Sequence, residues 1–263
     1  MTHTQILGFA GRKQAGKDTA CNFILATKIA ELGISKSTRL TSTGEIEVTD
    51  ILDDSVSGQE WTPFKSPSVD VDNLFENELG QFIKIYSFAD KLKHVCVDIL
   101  GLKKELVFGN GEQKNTKTHI KWDVVHKDDH SKSIVSIDSN QGYMTVREVL
   151  QHVGTEMFRG LDPNVWINAC LNEIQEDAPE LALVSDVRFE NEIKAIQDHG
   201  GFVVGLTRSP YQEQTENHIS EISPQKCLEL CDAVVNNDDL SIPQQNKQIY
   251  LAIKHLNNIP DIL

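Results

Sequence analysis

The sequence predicts an α/β fold in which a parallel sheet lies between layers of helices. Short apolar segments alternate with longer amphipathic segments along the whole chain, which is typical of parallel strands joined by crossover helices. A glycine-rich connection also joins the first apolar segment to an amphipathic one that starts at Lys17. No internal repeat interrupts this order, and 263 residues suit a single domain over 1–263 with insertions.

Composition and charge exclude several classes of function. The net charge is −14 and no basic face is visible, whereas proteins that grip a nucleic acid polymer carry one. No apolar run approaches the ~20 residues of a membrane span, and the N-terminal residues lack the pattern of a signal peptide. Five scattered cysteines fit a reducing compartment. We therefore expect a cytoplasmic protein that binds neither membrane nor nucleic acid polymer.

The first third of the chain is predicted to hold a strand, a helix and a polar insertion. Residues 4–9 (TQILGF) are predicted to form a short buried strand, and a helix follows over 17–32. The apolar side of this helix consists of Ala20, Phe23, Ile24 and Ala30. Residues 35–80 are polar and acidic; alternation around Thr43–Gly44 predicts a hairpin. We interpret the rest of this insertion as a surface loop.

The middle third is predicted to hold a strand, two helices and a second polar insertion. A strand over 82–88 precedes a helix over 89–100, and a polar insertion over 108–143 precedes a helix over 144–159. The inward side of the first of these helices is predicted to be Leu92, Val95, Cys96 and Ile99. Thr145, with Glu148 three residues on, has the spacing of a capping box.

The last third continues the alternation of helices and strands. Pro163 precedes a helix, and Gly200 with Gly201 closes another. The predicted strands are 181–186, 202–208 and 232–238, and the predicted helices are 164–176, 187–199, 222–231 and 241–257.

The connection GRKQAGKDT carries the spacing of a phosphate-binding loop, G-x-x-x-x-G-K. Glycines let main-chain N–H groups line a concavity at a helix N-terminus, and the lysine reaches the terminal phosphates of a triphosphate. The residues predicted to bind ATP here are Gly11, Arg12, Ala15, Gly16 and Lys17. Chance would give two glycines and a lysine at this spacing about 0.1 times in such a chain. A plain strand–turn–helix is the alternative.

Asp18 stands where the motif normally places a hydroxyl that binds magnesium. The carboxylate could bind the ion directly or through water, because magnesium favours carboxylates and retained waters. Thr19 could share that role. Asp18 could instead cap the helix, where negative charge is favourable.

Several segments together resemble the phage deoxynucleoside monophosphate kinases. The loop G-x-x-x-x-G-K-D-T is similar to theirs, and the less similar animal-type phosphomevalonate kinases share it. The further matching segments are YSFADKLK (86–93), TVREVLQHVGTE (145–156), LVSDVRFENE (183–192), HISE (218–221) and VVNND (234–238). The resemblance implies a three-layer phosphate-loop NTPase fold of the nucleoside-monophosphate-kinase type, with a helical acceptor-binding region and a lid at 208–224.

The resemblance assigns the acceptor nucleotide to the helix that begins near Thr145. Arg147 would share a face with Gln151 and Gly154; spacing alone makes it a solvated charge on a core helix. The residues carried over as dNMP-binding are Arg147, Gln151, Gly154, Thr155, Trp166, Asp186 and Arg188. Trp166 could equally stack on a base or fill the core.

Polar residues at strand ends supply the other candidates, since ligands bind at the carboxyl edge of open α/β sheets. Asp186 could bind a sugar hydroxyl, a magnesium-bound water or a neighbouring arginine. Arg188 is predicted to bind phosphate, with an exposed salt bridge as the alternative. Arg208 heads the lid, and the resemblance places Asn237 beside the donor adenine.

The sequence therefore predicts a magnesium-dependent kinase that uses ATP to convert a dNMP to a dNDP. Lys17, Arg147, Asp186 and Arg188 would carry catalysis, with Asp18 and Thr19 at the metal. The resemblance implies a role in phage DNA precursor synthesis and is compatible with a homodimer. A kinase of another small phosphorylated acceptor and a non-catalytic nucleotide-binding regulator are the alternatives.

Overall fold

The computed structural model describes residues 4–51, 61–65, 71–74, 78–122, 142–209 and 224–256. The chain forms two compact units. The first unit is Met1–Ser87 with Cys170–Leu263, and the second unit is Phe88–Ala169. Parts of both predicted insertions, nearly all of the predicted lid, and the matching segment at 218–221 lie outside the described residues.

The described strands and helices follow the predicted alternation. In chain order the strands are β1 (Gln5–Ala10), β2 (Ser35–Leu40), β3 (Ile46–Ile51), β4 (Thr62–Pro63), β5 (Ile83–Tyr86), β6 (Lys117–Lys121), β7 (Tyr143–Thr145), β8 (Leu181–Val187), β9 (Phe202–Leu206) and β10 (Ala233–Val235). The α-helices are α1 (Lys17–Glu31), α2 (Val71–Leu74), α3 (Asp90–His94), α4 (Lys104–Val107), α5 (Val146–Gln151), α6 (Arg159–Leu161), α7 (Val165–Asp177), α8 (Glu190–Asp198), α9 (Pro224–Leu230) and α10 (Ile242–His255).

A five-stranded sheet in the order β10–β9–β1–β8–β5 forms the centre of the first unit. All four pairings are parallel, which confirms the predicted α/β class. Leu7 and Phe9 of β1 pack in the cluster that contains residues of α1 and α10, whereas Gly8 faces Ile196 of α8. Because neighbouring strand residues point to opposite faces, helices cover both faces of the sheet.

The hairpin predicted around Thr43–Gly44 is present as β2 and β3, paired with Leu40 opposite Ile46. β4 joins them in a small antiparallel sheet. The interpretation of the rest of the insertion as a surface loop is wrong at Phe64, which is buried in the same cluster as α1 together with Ile46 and Val48 of the hairpin. Their alternation with polar residues buries one face of the hairpin.

Helix α3 continues into a π-helical segment, Val95–Ile99. Cys96 is buried as predicted, but Ile99 is 75% exposed, so its predicted inward position is wrong. Bonding from residue i to i+5 widens the turn and rotates Ile99 away from the face of Leu92. Ala30, near the end of α1, is likewise exposed rather than inward.

The predicted capping box starts α5. Thr145 Oγ1 accepts from the Glu148 main-chain N–H at 3.2 Å, and Glu148 Oε2 accepts from the Thr145 N–H at 2.6 Å. The helix continues as a π-helical segment, His152–Phe158. A core cluster with buried Cys96, Val107, Met144 and Val149 holds these elements of the second unit together.

None of the described helices could span a membrane. Each of them is too short or too polar to pass through a bilayer as a helix.

Candidate functional site

The loop between β1 and α1 has the main-chain shape that a phosphate cradle needs. Gly16 precedes the helix with a φ of 96°, a left-handed conformation that glycine adopts without strain. A Cβ at Gly11 would lie 2.8 Å from the carbonyl oxygen of Leu206. Glycine at both positions therefore lets the main chain turn tightly between the sheet and α1.

Lys17 folds back over this loop. Its side chain is nearly buried, with 6% exposed, and Nζ donates to the carbonyl oxygens of Gly11 and Arg12 at 2.7 Å each. The ammonium group therefore lies over the concavity, next to the N-terminus of α1. Two sources of positive potential, the lysine and the helix end, meet at this place.

Asp18 and Thr19 have different surroundings. Asp18 is exposed in the first turn of α1, and its side chain makes no hydrogen bond or ion pair with any described residue. The Thr19 side chain packs on the hairpin turn so closely that a Cβ on Gly44 would overlap its hydroxyl. The hydroxyl is thus directed at the hairpin, and the carboxylate is the group that remains available above the loop.

Asp186 and Arg188 stand at the carboxyl end of β8, next to β1 in the sheet. Asp186 is half-buried and accepts from Ser87 Oγ at 2.7 Å. Glu192, with 2% exposed, accepts from the main-chain N–H groups of Arg188 and Phe189 at 2.7 and 3.0 Å. The buried Glu192 carboxylate therefore fixes the backbone that carries Arg188 at the start of α8.

The charges around the loop affect the pKa of a buried thiol, Cys21. Burial raises the pKa of Cys21 well above its ordinary value, the negative charges of Asp18 and Asp186 raise it further, and Lys17 lowers it. The two carboxylates and the lysine therefore lie close enough to act on one side chain of α1. The raised pKa keeps the buried Cys21 thiol protonated near neutral pH.

Asn237 is fully buried and supports the loop from behind. Its Nδ2 donates to the carbonyl oxygen of Ala15 and to Gln245 Oε1, each at 2.7 Å. Its Oδ1 accepts from the Arg208 main-chain N–H at 2.8 Å. The resemblance places Asn237 beside the donor adenine, and in the structure its amide is occupied by protein groups and positions the loop.

Arg208 and Arg12 mark the base of the predicted lid. The Arg208 guanidinium donates to the carbonyl oxygens of Asn237 and Leu240, so its hydrogen bonds leave its charge unneutralised. Arg12 Nη1 donates to Ser209 Oγ at 3.0 Å. Both guanidinium groups lie in the first unit, and their roles toward a nucleotide stay a prediction.

The described residues contain no preformed metal centre, since no three His, Cys, Asp or Glu side chains among them cluster as ligands. Magnesium does not require one, because it keeps several waters and is bound by one or two carboxylates together with substrate phosphates. The exposed Asp18 and the half-buried Asp186 suit an ion that arrives with a nucleotide.

In the second unit, Arg147 is held by a segment that the sequence assigns to the second insertion. Its Nε donates to Asn115 Oδ1 at 3.2 Å and its Nη2 to the carbonyl oxygen of Gly111 at 3.1 Å. Arg147 is the second residue of α5, between Thr145 and Glu148 of the capping box, and so lies in the first turn of the helix. The polar segment around 111–115 therefore orients the arginine that the resemblance assigns to the acceptor.

The other predicted acceptor residues separate into surface and interior groups. Gln151 is exposed and Thr155 half-buried, but Gly154 is buried beneath Leu92. Trp166 is 5% exposed, and its Nε1 donates to the Gly154 carbonyl oxygen at 3.0 Å. The structure therefore favours the core-filling alternative for Trp166, and the predicted common face of Arg147 and Gly154 is wrong because the π-helical segment changes the helical register.

Three supporting residues are absent from the sequence prediction: Ser87, Glu192 and Gln245. Glu192 is the last residue of the D-x-R-x-x-x-E pattern that begins at Asp186, so its spacing in the sequence could have identified it as part of the site. Gln245 is 1% exposed and bonds to Asn237 and, at 3.4 Å, to the Gly16 carbonyl oxygen. Nothing in the sequence around Gln245 distinguishes it from its surface neighbours in α10.

A parallel sheet, a glycine loop leading into α1, and charged residues at the carboxyl end of β8 define a phosphate-loop α/β protein. The family model described as deoxynucleotide monophosphate kinase matches residues 69–247. The chain is also 28% identical over 163 residues to a protein of Acanthamoeba polyphaga mimivirus named "Putative deoxynucleotide monophosphate kinase", which covers 57% of this chain and 74% of that protein.

The chain belongs to the deoxynucleotide monophosphate kinase family, and it is accordingly a phosphotransferase. The phosphate loop and the β2–β3 hairpin precede the matched region. The loop and the hairpin are therefore evidence that is independent of the family match.

Proposed function

We propose that the protein is a magnesium-dependent kinase that transfers the γ-phosphoryl group of ATP to a deoxynucleoside monophosphate, giving ADP and dNDP. The observation that carries the proposal is the loop of Gly11–Lys17, with its lysine over the concavity and an unbonded carboxylate at Asp18, in a chain of this kinase family. The product would serve DNA precursor synthesis.

The first unit would hold the donor. Main-chain N–H groups of residues 12–17 and the Lys17 ammonium would bind the β- and γ-phosphates. The N–H groups and the ammonium each provide a fixed positive potential for the phosphate oxygens. Arg12 and Arg208 add fork-shaped donors beside the loop. Asn237 and Gln245 keep the loop in shape through Ala15 and Gly16.

Arg147 in the second unit would bind the acceptor phosphate, and Gln151 would hydrogen-bond the base. Asn115 and the Gly111 carbonyl oxygen restrict the Arg147 side chain in advance, which reduces the entropy lost on binding. Thr155 lies in the same helical stretch. Trp166 and Gly154 act indirectly, by packing the helix that carries these groups.

Magnesium would be held by Asp18 and by the substrate phosphates, with Asp186 orienting its waters. When bound, the ion would supply positive charge that offsets the negative charge of the phosphate oxygens. Thr19 is a weaker candidate because its hydroxyl faces Gly44. This assignment leaves Asp18 with the role that a hydroxyl has in the general motif.

Phosphoryl transfer between two anions depends chiefly on positioning and charge neutralisation. Lys17 and Arg188 would bind the transferred phosphoryl group, and Arg147 would bind the phosphate of the acceptor. Direct in-line transfer needs no covalent intermediate. All five cysteines are free thiols, which fits a cytoplasmic location.

An ADP-release assay with ATP and a panel of dNMPs, NMPs and phosphomevalonate tests the function. We expect turnover with at least one dNMP. Arg147→Ala should raise the dNMP KM about tenfold or more while leaving the ATP KM unchanged, and Arg147→Lys should recover only part because it lacks the fork. Absence of turnover with every dNMP would refute the proposal, and a change confined to the ATP KM would refute the role of Arg147.

A further inference from the structure

The thiol of Cys227 joins α9 to the segment that carries Arg188. Cys227 is 5% exposed, and its Sγ donates to the carbonyl oxygen of Arg188 at 3.2 Å. Cys231, four residues further on, donates instead to the carbonyl oxygen of Cys227 at 3.1 Å. The Cys227 thiol therefore bonds to a different element of the fold, at a residue that the sequence assigns to phosphate, whereas the Cys231 thiol bonds within its own segment.

Both main-chain polar groups of Arg188 are bonded to side chains. Its N–H donates to the Glu192 carboxylate at 2.7 Å, and its carbonyl oxygen accepts from the Cys227 thiol. The two partners come from different helices, α8 and α9. Because each bond orients one of the two peptide planes that flank the Arg188 Cα, together they restrict both backbone dihedrals of this residue. They therefore restrict the direction in which its side chain leaves the main chain.

The residue before Arg188 connects the same main chain to the phosphate loop. The Gly11 N–H donates to the carbonyl oxygen of Val187 at 3.4 Å, and Ala10 of β1 is paired with Val187 of β8. Arg188 thus follows directly on a residue that is bonded to the first glycine of the loop. A change of the main chain at Arg188 would therefore move its guanidinium relative to the phosphates that the loop is proposed to bind.

Helix α9 is itself held in place from two sides. A Cβ on Gly205 of β9 would lie 2.6 Å from a methyl carbon of Leu228, so the glycine lets α9 approach the sheet closely. Near the end of α8, Gln197 Nε2 donates to the carbonyl oxygen of Leu230 at 2.9 Å. These contacts give the Cys227 thiol a defined position from which to donate.

The thiol is in the form that can donate a hydrogen bond. Burial raises the pKa of Cys227 above its ordinary value, and the negative charges of Glu190 and Glu192 raise it further. The sulfur therefore keeps its proton at neutral pH. Since a thiol is a weak donor, we expect its bond to the Arg188 carbonyl oxygen to contribute little to stability and to act mainly on the direction of the main chain.

We propose that Cys227 is a positioning residue for phosphoryl transfer: it holds the Arg188 carbonyl oxygen and thereby directs the Arg188 guanidinium at the transferred group. The inference rests on the proposed function, in which Arg188 binds that group. A guanidinium binds phosphate oxygens as a fork, so its contribution depends on direction, and a small misplacement of a positioned group lowers the rate strongly. Cys227 is buried and acts through Arg188.

A double-mutant cycle between Cys227 and Arg188 tests this role. The steady-state kinetics with ATP and a dNMP are compared in the wild type, Cys227→Ala, Arg188→Ala and the double variant. We expect Arg188→Ala to lower kcat about 100-fold or more. Cys227→Ala should lower kcat about three- to tenfold and leave the dNMP KM within about twofold. In the Arg188→Ala background the same change should have almost no effect on kcat, because the group that Cys227 positions is absent.

Two further variants separate positioning from packing. Cys227→Ser keeps a donor and should retain at least about half of the wild-type kcat. Cys231→Ala removes a thiol that bonds within its own segment and should leave kcat unchanged, and thermal unfolding checks that each variant is folded. Equal kcat values for the wild type and Cys227→Ala would overturn the inference. So would a Cys227→Ala effect that persists in the Arg188→Ala background, or a serine variant no more active than the alanine variant.

If no dNMP is turned over, the proposed function fails, and calorimetric binding of ATP and ADP with Mg²⁺ then decides the inference by itself. Because Arg188 is assigned to the γ-phosphoryl group, Arg188→Ala should weaken ATP binding more than ADP binding. Cys227→Ala should lower the ratio of ATP affinity to ADP affinity at least about twofold, and Cys231→Ala should retain it. A ratio that depends on Arg188 but not on Cys227 overturns the inference, as does a ratio that depends on neither.

Discussion

The residue after the motif lysine is the feature in which this loop departs from the general phosphate loop. The sequence makes Asp18 a candidate for the metal, with Thr19 able to share that role, and the surroundings of the two side chains differ in the structure. Thr19 fills the contact between α1 and the hairpin turn, while Asp18 is exposed above the loop. An oxygen that is already directed at Gly44 is poorly placed for a hydrated ion, and this favours the carboxylate.

Asp18→Asn is expected to raise the Mg²⁺ concentration for half-maximal activity about tenfold, because the amide lacks the charge that magnesium prefers. Thr19→Val is the matched control, since valine keeps the packing on Gly44 and removes the hydroxyl. Titration of activity with Mg²⁺ at fixed ATP gives the comparison. A normal titration for Asp18→Asn, with a shifted one for Thr19→Val, would reverse the assignment.

Asn237 shows how one buried side chain connects distant parts of the chain. It joins the loop at Ala15, the end of β9 at Arg208 and helix α10 at Gln245. The resemblance suggested a nucleotide contact at this position, and the structure gives the residue a supporting role. Nucleotide affinity would still depend on it, because the loop carbonyl groups are held from behind.

Asn237→Ala should lower the free energy of unfolding by about 2–4 kcal/mol, since the buried Ala15 and Gln245 and the part-buried Arg208 N–H lose their bonds. It should also raise the ATP KM more than the dNMP KM. Denaturant unfolding and steady-state kinetics measure the two effects. Asn236→Ala, in the exposed neighbouring residue, should cost less than about 1 kcal/mol; equal losses for the two variants would contradict the supporting role.

At the scale of elements, the β2–β3 hairpin is an integral part of the first unit. Its inner residues join the core cluster of α1, and its turn contacts Thr19 and Asn22 at the start of that helix. The rest of the insertion, outside the hairpin, is interpreted as a surface loop because its composition is polar and acidic. Period-two alternation was the better guide than composition, since it revealed both strands.

Gly44→Ala tests whether the hairpin turn must approach α1 closely. The residue has φ +83°, and a Cβ would overlap Thr19, so the substitution adds a clash to the backbone strain. Gly33→Ala is the matched control, because Gly33 has φ +69° with nothing within 4 Å of its Cβ position. We expect Gly33→Ala to cost about 1 kcal/mol and Gly44→Ala about 1–3 kcal/mol more, as measured by denaturant unfolding. Equal losses would mean that the contact contributes nothing.

For the whole molecule, the sequence predicts the sheet and the loop well because each depends on local patterns. Apolar runs specify the central strands, and glycine spacing specifies the turn at Gly11 and Gly16. The π-helical segments at Val95–Ile99 and His152–Phe158 follow from no such pattern. They displaced Ile99 and Gly154 from their predicted faces, because an i+5 turn breaks the 3.6-residue period on which the predictions depend.

Contacts between residues far apart in the chain could not be predicted from the sequence either. Gln245 meets Gly16 across a separation of 229 residues, and no local signal marks either the pair or the burial of Asn237. The sequence could name the charged residues of the candidate site, since their chemistry is distinctive. It could not separate those that face solvent from those that support the loop.

The buried thiols make the free energy of unfolding decrease as the pH rises into the alkaline range. Burial raises the pKa of Cys96 to about 11 and, with neighbouring charges, that of Cys231 to about 12, from an ordinary value of 9.0. Cys21 and Cys227 shift in the same direction. Above pH 9 the unfolded chain releases thiol protons that the folded protein retains, so rising pH favours the unfolded state.

The free energy of unfolding should therefore be insensitive to these thiols below about pH 8 and should fall between pH 9 and 11. Each fully shifted thiol contributes up to about 1.4 kcal/mol per pH unit in that window. Because lysines and tyrosines also titrate there, the decisive quantity is the difference in slope between the wild type and Cys96→Ala. The variant loses one buried thiol and should show a shallower fall, whatever its absolute stability. Parallel curves from pH 9 to 11 would show that Cys96 has the same pKa in the folded and the unfolded chain.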